Sequence, residues 1–246
     1  MFWTPFTPAS GTVDLYYADM DDSSLDVERI TSVLSDQELA RANAFRDHVH
    51  RRRFMIGRGA LRGLLGNLMD KNPAALDVRV GKPFGKPDVL GGPAFNLSHS
   101  DGHLLIGIAP EGRLGVDVEV ARQVVDVMAL ARDCCSAQER IGLLKLDPED
   151  RSHAFLRIWT LKESLLKAIG TGLSAPPNQV SMALSHLEGS QLVDSNTNAI
   201  GPAFWCVRAV ELTEGLIAAV SWDRTDFALR RSFFGSGAAR SVLQGS

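Results

Sequence analysis

The sequence predicts an α+β fold in which long helices lie beside runs of strands, without regular alternation between the two. Residues 53–69 and 150–170 have the apolar spacing of long helices, whereas residues 94–120 contain three short apolar segments typical of strands. Since each half has a long helix followed by strands, we expect two similar subdomains that meet near residues 110–116.

The remaining elements follow from local patterns along the chain. Residues 12–18 alternate as a strand does, and Ser35 with Glu38 three residues later forms a capping-box pattern. A tail from about Arg230, rich in Gly, Ser, Ala and Arg, is predicted to fray. The other predicted elements are a strand at 78–80, helices at 124–132 and 136–146, and three late strands with the sequences VSMAL, AFWCVRAV and GLIAAVSW.

Composition limits the function classes. The 246 residues are 45% hydrophobic and 22% charged, with a formal charge of -3, which favours neither nucleic acid nor an anionic membrane as a partner. The three cysteines form no CxxC pair, so neither a disulfide framework nor a zinc site is indicated. The opening MFWTPFTPAS lacks the features of a secretion signal, and no segment has the length of a membrane span. These features predict a cytoplasmic location.

An acidic strand, GVDVEV, carries the first functional signal. Asp117 and Glu119 are two residues apart, so in a strand both side chains point to one face, roughly 7 Å apart. Such a pair repels unless a cation or a basic group lies between the carboxylates, and oxygen ligands favour Mg²⁺ or Ca²⁺. The alternative is an amphipathic strand with a solvated acidic face.

A polar stripe on a helix carries the second signal. In WTLKESLLKAIG, Trp159, Glu163 and Lys167 are spaced four apart, opposite an apolar side. This stripe could hold reactive groups. It could equally be a helix-stabilising Glu–Lys pair, which contributes roughly 0.2–0.5 kcal/mol.

Several polar and basic segments suit phosphate groups. Ser98, His99 and Ser100 follow a short strand, and Lys82 and Lys86 each stand in a Gly-Lys-Pro tripeptide. A structural histidine and a solvated helix face are the alternatives. Seven arginines against one aspartate between residues 41 and 62 favour a phosphorylated small molecule or an acidic protein as ligand: residues 41, 46, 51, 52, 53, 58 and 62.

The order of these features is more specific than any one of them. An arginine-rich helix, GKP, FNLSHS, GVDVE and WTLKESLLKAIGTGL together resemble the 4′-phosphopantetheinyl transferase family, of the type that serves peptide synthetases. The resemblance covers roughly residues 35–185, and the motifs G-V/I-D-x-E and W-x-x-K-E-S-x-x-K are both complete. It implies a pseudo-twofold pair of α+β halves with coenzyme A between them. It also implies Mg²⁺, or Mn²⁺ in its place, and transfer of phosphopantetheine to a serine of an apo carrier protein, releasing adenosine 3′,5′-bisphosphate.

The resemblance assigns roles to individual residues. Asp117, Glu119 and Glu163 match the metal carboxylates, and Glu163 is placed to take the serine proton directly or through a water on the metal. Lys167 matches the lysine that binds the pyrophosphate and assists the leaving group, so the implied catalytic residues are Glu163, Lys167 and Asp117. Some relatives carry a lysine where this chain has Glu38. The implied coenzyme A-binding residues are Arg41, Arg53, Lys86, Ser98, His99, Lys162 and Lys167.

We therefore expect residues 1–112 to bind the nucleotide and phosphates of coenzyme A. Residues 113–228 would carry the metal site, the catalytic helix and the carrier-docking surface, and residues 229–246 would form a flexible tail. The protein is expected to act as a monomer. Within residues 121–146, basic side chains are predicted to meet an acidic carrier helix: Arg132, Arg140 and Lys145.

Two other functions use the same residues. A Mg²⁺-dependent phosphohydrolase would activate water with these carboxylates and would need no carrier protein. A non-enzymatic module that binds carrier proteins or nucleotides would keep the acidic residues for structural reasons. The completeness of GVDVE and WTLKES favours the transferase, because a binding module would not require the third carboxylate.

Overall fold

In a computed structural model, the described residues form two four-stranded sheets, each covered by one long helix, and a two-stranded sheet of Val78–Val80 and Pro87–Val89. The structure describes residues 7, 9–80, 85–170, 176–182, 190–194 and 204–234. The α+β prediction is confirmed, whereas the pseudo-twofold relation and the exact domain limits stay predictions. The helices are α1 (Val27–Thr31), α2 (Asp36–Asn43), α3 (His48–Met69), α4 (Val127–Cys134), α5 (Ala137–Lys145) and α6 (Pro148–Ile169). The strands are β1 (Thr12–Asp19), β2 (Val78–Val80), β3 (Pro87–Val89), β4 (Ala94–Ser100), β5 (His103–Ala109), β6 (Leu114–Val120), β7 (Ser190–Asp194), β8 (Phe204–Val210), β9 (Leu216–Trp222) and β10 (Ala228–Phe234).

The first sheet has the order β10-β1-β5-β4 and carries α3 on one face. Ile56, Leu61 and Leu64 of α3 pack against Tyr16 and Ile106 of the sheet, and all five are buried. Burying a side chain of this size contributes about 1.5–3 kcal/mol. This packing fixes the face of β4 that looks toward the arginines of α3.

The second sheet has the order β6-β9-β8-β7 and carries α6. Leu161 and Leu165 of α6 pack on Trp205 and Ala219, as the apolar side of the predicted helix requires. The other face of this sheet packs on the first sheet, where Val116 belongs to the same buried cluster as strand residues of β1 and β5. The two halves therefore share a core, and β4 lies beside β6.

The prediction of a frayed tail was wrong for the segment that forms β10. This strand pairs in parallel with β1, from Thr12 opposite Ala228 to Ala18 opposite Phe234. Arg230 donates two hydrogen bonds to the buried carboxylate of Asp14, at 2.6 and 2.8 Å. Composition alone misled here, because pairing and a buried ion pair outweigh weak local propensity. Residues 235–246 lie outside the described part.

Local sequence signals account for most of the other positions at which helices and strands begin or end. Ser35 and Glu38 form the predicted capping box of α2. Helix α3 begins at His48 rather than residue 53, because the Asp47 side chain accepts hydrogen bonds from the backbone of Val49 and His50. The predicted strand VSMAL is absent at Val180–Met182, which follow a 3-10 turn, and its remaining residues lie outside the described part. No helix among the described residues is both long and apolar enough to cross a membrane.

Candidate active site

Helix α6 lies directly on strand β6, and a glycine allows this contact. A Cβ atom at Gly115 would overlap the carbonyl oxygen of Ser164 and the backbone nitrogen of Ala168. Only glycine lets the two backbones approach this closely. The close crossing brings the stripe of Glu163 and Lys167 to the strand that carries Asp117.

An ion pair joins the helix to the strand at this crossing. The Nζ atom of Lys167 donates to Oδ1 of Asp117 at 2.6 Å and to the hydroxyl of Ser98 at 2.8 Å. The Ser98 hydroxyl in turn donates to the same Oδ1 at 2.8 Å. Because both side chains carry a charge, the hydrogen bond between Lys167 and Asp117 is charge-assisted. Asp117 is only 4% exposed, so its carboxylate is also protected from solvent. Three elements thus meet at one carboxylate, and two of the predicted catalytic residues are in direct contact.

Alternate residues of β4 connect the two halves of the protein. Asn96 accepts a hydrogen bond from the backbone of Val116 at 2.9 Å, and Ser100 donates to Oε2 of Glu119 at 2.8 Å. With Ser98 between them, these polar side chains follow the two-residue period of a strand. Neither the role of Asn96 nor the Ser100–Glu119 contact was expected from the sequence. The period-two polar pattern of Asn96, Ser98 and Ser100 was the signal that could have revealed them.

Two carboxylate oxygens at the site are suited to a cation. Oδ2 of Asp117 and Oε1 of Glu163 are buried and have no hydrogen-bond partner among the described residues. Burying such oxygens without a partner is costly, and a divalent cation would satisfy both. Among the described residues, however, no group of three or more His, Cys, Asp or Glu side chains is arranged to hold a metal ion. Glu119, the third predicted ligand, is hydrogen-bonded to Ser100 instead.

Glu163 is held in an environment that disfavours its charge. Burial raises the pKa of Glu163; the ammonium of Lys167 opposes this effect, and the carboxylates of Asp117 and Glu119 add to it. A carboxylate with a raised pKa is a stronger base than an exposed one. This environment therefore suits Glu163 both as a proton acceptor and as a ligand of a cation.

Replacing Glu163 with glutamine is expected to raise the Tm measured in EDTA by roughly 1–3 °C. The neutral amide removes a half-buried charge. It also removes a charge suited to a cation, so adding Mg²⁺ should raise the Tm of the variant less than that of the wild type. A raised folded-state pKa means that this carboxyl stabilises the fold at low pH and loses that contribution as the pH rises. The difference in Tm between wild type and variant should therefore shrink as the pH falls.

Calorimetry at several pH values, with EDTA and with Mg²⁺, measures these effects. Glu214→Gln changes an exposed glutamate in a turn and should alter neither result. A lower Tm for Glu163→Gln in EDTA, or a Mg²⁺ response equal to that of the wild type, would contradict the expectation.

A cavity of about 470 Å³ lies on the other face of β4. His99 lines it together with Arg53, Arg41 and Phe54, and the guanidinium of Arg41 lies 5.3 Å from the centre of the Phe54 ring. Burial lowers the pKa of His99, and the positive charges of Lys167 and Arg53 lower it further. His99 thus lies near both Lys167 of α6 and Arg53 of the cavity, where an anionic ligand would favour its protonation.

Two of the arginines that line the cavity, Arg53 and Arg58, are already held by carboxylates. Arg53 contacts both oxygens of Asp21, with its Nε at 3.1 Å from Oδ1. Deeper in the cavity, Glu38 accepts from Arg58 at 2.8 Å and from Arg62 at 2.5 Å. Glu38, which stands where some relatives carry a lysine, therefore holds two arginines of α3 in place. The cation-rich wall is organised before any ligand binds.

The structure separates Lys86 from its predicted phosphate role. Its Nζ atom donates to the carbonyl oxygens of Leu114, at 2.8 Å, and Ala168, at 3.1 Å. Burial, with the charge of Arg113 adding to it, lowers the pKa of Lys86 to about 8. Lys86 therefore joins the end of α6 to the start of β6. The other GKP lysine, Lys82, lies outside the described residues.

The structure places Lys162, predicted to bind coenzyme A, in the interior of the second half. Lys162 is 1% exposed and forms a buried ion pair with Glu139 at 2.5 Å. It precedes Glu163 in sequence, but successive helix residues point about 100° apart, and its side chain runs into the core of the second half. The adjacent lysine and glutamate of the motif thus have separate surroundings.

Comparisons with known proteins show the family of this chain. Residues 113–221, which contain β6 and α6, match the family model of the 4′-phosphopantetheinyl transferase superfamily. The chain is 34% identical to the 4′-phosphopantetheinyl transferase HetI of Nostoc sp. strain PCC 7120, over 77% of this chain and 83% of that protein. It is 28% identical to the 4′-phosphopantetheinyl transferase ffp of Bacillus subtilis and 27% identical to Sfp of Bacillus subtilis strain 168, in each case over 86% of this chain and 92% of the relative. With this extent of similarity the chain belongs to the 4′-phosphopantetheinyl transferase superfamily, a family of enzymes that transfer a group.

Proposed function

We propose that this protein transfers the 4′-phosphopantetheine arm of coenzyme A to a serine hydroxyl of an apo carrier protein. The observation that carries this proposal is the contact of Lys167 with Asp117 beside two unpartnered carboxylate oxygens. These groups lie next to a cavity lined by arginines and by His99. Cations suited to phosphates and carboxylates suited to a metal are what a reaction on a pyrophosphate requires.

The proposed reaction is a displacement at phosphorus. The serine oxygen bonds to the phosphorus that carries the pantetheine arm, and the bond from that phosphorus to the bridging oxygen breaks. Adenosine 3′,5′-bisphosphate leaves with the electron pair of that bond. Lys167 is placed to bind the pyrophosphate oxygens, since its ammonium needs only to exchange Asp117 for a phosphate acceptor.

The serine proton passes to Glu163 in this proposal. Burial raises the pKa of that carboxyl, which strengthens it as a base near neutral pH. Its orientation on α6, one turn before Lys167, places acceptor and cation on the same stripe. The helix thus presents both groups to the bound substrates.

A divalent cation, Mg²⁺ or Mn²⁺, is part of the proposal. Asp117 and Glu163 would hold it through their unpartnered oxygens, and Glu119 would join them after leaving Ser100. The bound ion would neutralise the charge that builds on the pyrophosphate. Lys167 and His99 would then be free to bind the phosphates.

The carrier protein is proposed to dock on the surface formed by α4 and α5. Leu130, Ile141 and Leu144 are large apolar residues that are half exposed there, at 49%, 55% and 55%. Arg132 and Lys145 are exposed beside them, whereas Arg140 is half-buried and donates to the carbonyl of Cys135. Exposed apolar residues with the cations of Arg132 and Lys145 near them suit a helix with acidic side chains, although the exposed Asp126, Asp133 and Asp147 make the rim mixed in charge.

This docking surface adjoins the catalytic stripe. Nζ of Lys162, the residue before Glu163, donates to the carbonyl oxygen of Cys134 at the end of α4, at 2.9 Å. The end of α4 therefore lies close to the turn of α6 that carries Glu163. A carrier helix on this surface would present its serine to the base.

Action as a monomer in the cytoplasm stays a prediction.

Introducing acidic residues on this surface is expected to weaken carrier docking alone. Ile141→Glu and the double variant Arg132→Glu/Lys145→Glu should each raise the carrier KM about tenfold or more, at an unchanged Kd for coenzyme A. Steady-state kinetics and calorimetry measure the two constants. Lys71→Glu, an exposed residue of the first half, is the control. Unchanged carrier kinetics in both variants would refute the docking site.

The function itself is tested by mixing the protein with coenzyme A, Mg²⁺ and several apo carrier domains. A carrier mass that increases by one phosphopantetheine, and not in EDTA, is the expected result. Hydrolysis of coenzyme A with every carrier unmodified would support the phosphohydrolase instead. Binding of coenzyme A or carrier with neither reaction would support the non-enzymatic module.

A further inference from the structure

The buried lysine of the catalytic motif has no hydrogen-bond donor left for a ligand. Nζ of Lys162 donates to the carbonyl oxygens of Cys134, at 2.9 Å, and Pro177, at 3.0 Å, and to Oε2 of Glu139 at 2.5 Å. An ammonium has three N–H donors, so these three acceptors use all of them. Both charged side chains of the pair are 1% exposed. The role of Lys162 must therefore be sought in what these acceptors belong to.

Glu139 extends the network to the start of α5. Its Oε2 accepts from the backbone of Ser136 at 2.6 Å, as part of the capping box of α5, and its Oε1 accepts from the backbone of Met182 at 2.6 Å. The pair therefore connects the end of α4, the first turn of α5, residues 177–182 and the middle of α6. Such a pair is geometrically demanding, because each charge is stable only with all its partners in place.

The segments held by this pair carry the surface where the carrier is proposed to dock. Helix α5 buries Leu143 but exposes Ile141 and Leu144 on its outer side. Its inner side is fixed to α6 at Lys162, next in sequence to Glu163. The pair is thus the contact between α5 and α6 that lies nearest in sequence to Glu163, whereas Leu143 in the core and Arg151, which donates to the carbonyl oxygens of Leu144 and Leu146, hold α5 farther along α6.

We propose that Lys162 and Glu139 form a positioning pair that fixes the α4–α5 docking surface in register with Glu163. The pair touches neither coenzyme A nor the carrier. It acts through α5, so its loss should weaken productive docking of the carrier and spare the binding of coenzyme A. This inference rests on the proposed function, because it requires a carrier protein as the second substrate.

The double variant Lys162→Met/Glu139→Gln tests the pair without leaving one buried charge alone. Replacing both partners of a buried pair is often nearly neutral for stability, so a Tm close to that of the wild type is expected. The carrier KM should rise about tenfold, since a misplacement near 1 Å is costly for productive docking. The Kd of coenzyme A, measured by calorimetry without carrier, should stay within about twofold.

Glu139→Gln alone serves if the double variant does not fold. The amide keeps one acceptor for the backbone of Met182 but loses the charge opposite Lys162. It should raise the carrier KM by a smaller factor, again without changing the Kd of coenzyme A. Lys71→Met, an exposed lysine of the first half, should change none of these values.

Two results would overturn the inference. The first is a Kd for coenzyme A that rises tenfold or more in a folded variant, which is a loss of about 1.4 kcal/mol of binding free energy. This result would make Lys162 a ligand-binding residue. A carrier KM equal to that of the wild type in a folded variant would limit the pair to general stability. Failure of the proposed function is distinguishable from both, because the wild-type protein would then leave every carrier unmodified, and the inference would fall with it.

Discussion

Replacing Asp117 with alanine is expected to lower kcat/KM for carrier modification by at least about 10³-fold. The substitution removes the unpartnered Oδ2 that suits a cation and the Oδ1 that holds both Lys167 and Ser98. Lys167 would then lose its position relative to Glu163. Intact-mass measurement of the carrier over time gives the rate.

The fold should survive this change, because Lys167, the cation that loses its partner, is partly exposed and can bind water instead. Circular dichroism should show the wild-type spectrum, and Asp77→Ala, at an exposed carboxylate that pairs with Arg79, should keep full activity. A folded Asp117→Ala protein with more than about a tenth of wild-type activity would refute the proposed metal and lysine roles.

Replacing Gly115 with alanine is expected to lower kcat about 10²-fold although the residue contacts no substrate. The added methyl group would overlap backbone atoms of Ser164 and Ala168, so α6 must move away from β6. Glu163 and Lys167 would move with the helix, and overpacking of this kind typically costs about 1–3 kcal/mol of stability. The Tm should therefore fall together with the rate.

Gly63→Ala is the matched control for this variant. A Cβ atom at Gly63 meets nothing within 4 Å, and alanine favours a helix over glycine by about 1 kcal/mol. Its Tm should rise slightly and its activity should stay unchanged. A Gly115→Ala protein with wild-type activity and Tm would show that the close crossing does not control the site.

The sequence indicated the fold well where one local signal dominates. The capping box of α2, the alternation of β6 and the apolar side of α6 all depend on residues close in sequence. Strand β10 was missed because its stability comes from β1, more than two hundred residues earlier, and from Arg230 reaching Asp14. Long-range pairing leaves little trace in local composition.

Some contacts between the predicted site residues follow from the sequence, and others do not. Asp117 and Lys167 meet as their motifs implied. Ser98 and His99, predicted together as phosphate contacts, point to opposite faces of β4, as neighbouring strand residues must. Lys86 and Lys162 differ from their predicted roles because a long side chain can reach several acceptors, and packing selects among them.

The parallel pairing of β10 with β1 bears on how the chain is made. The strand that completes the first sheet leaves the ribosome after the whole active site, so the outer edge of β1 stays open during most of synthesis. An open edge is a template for aggregation, and contacts between distant segments form slowly. A chain cut before residue 228 would keep Asp117, Glu163 and Lys167 and still be exposed to misassembly. The quality of expression should therefore depend on a segment that takes no part in the chemistry.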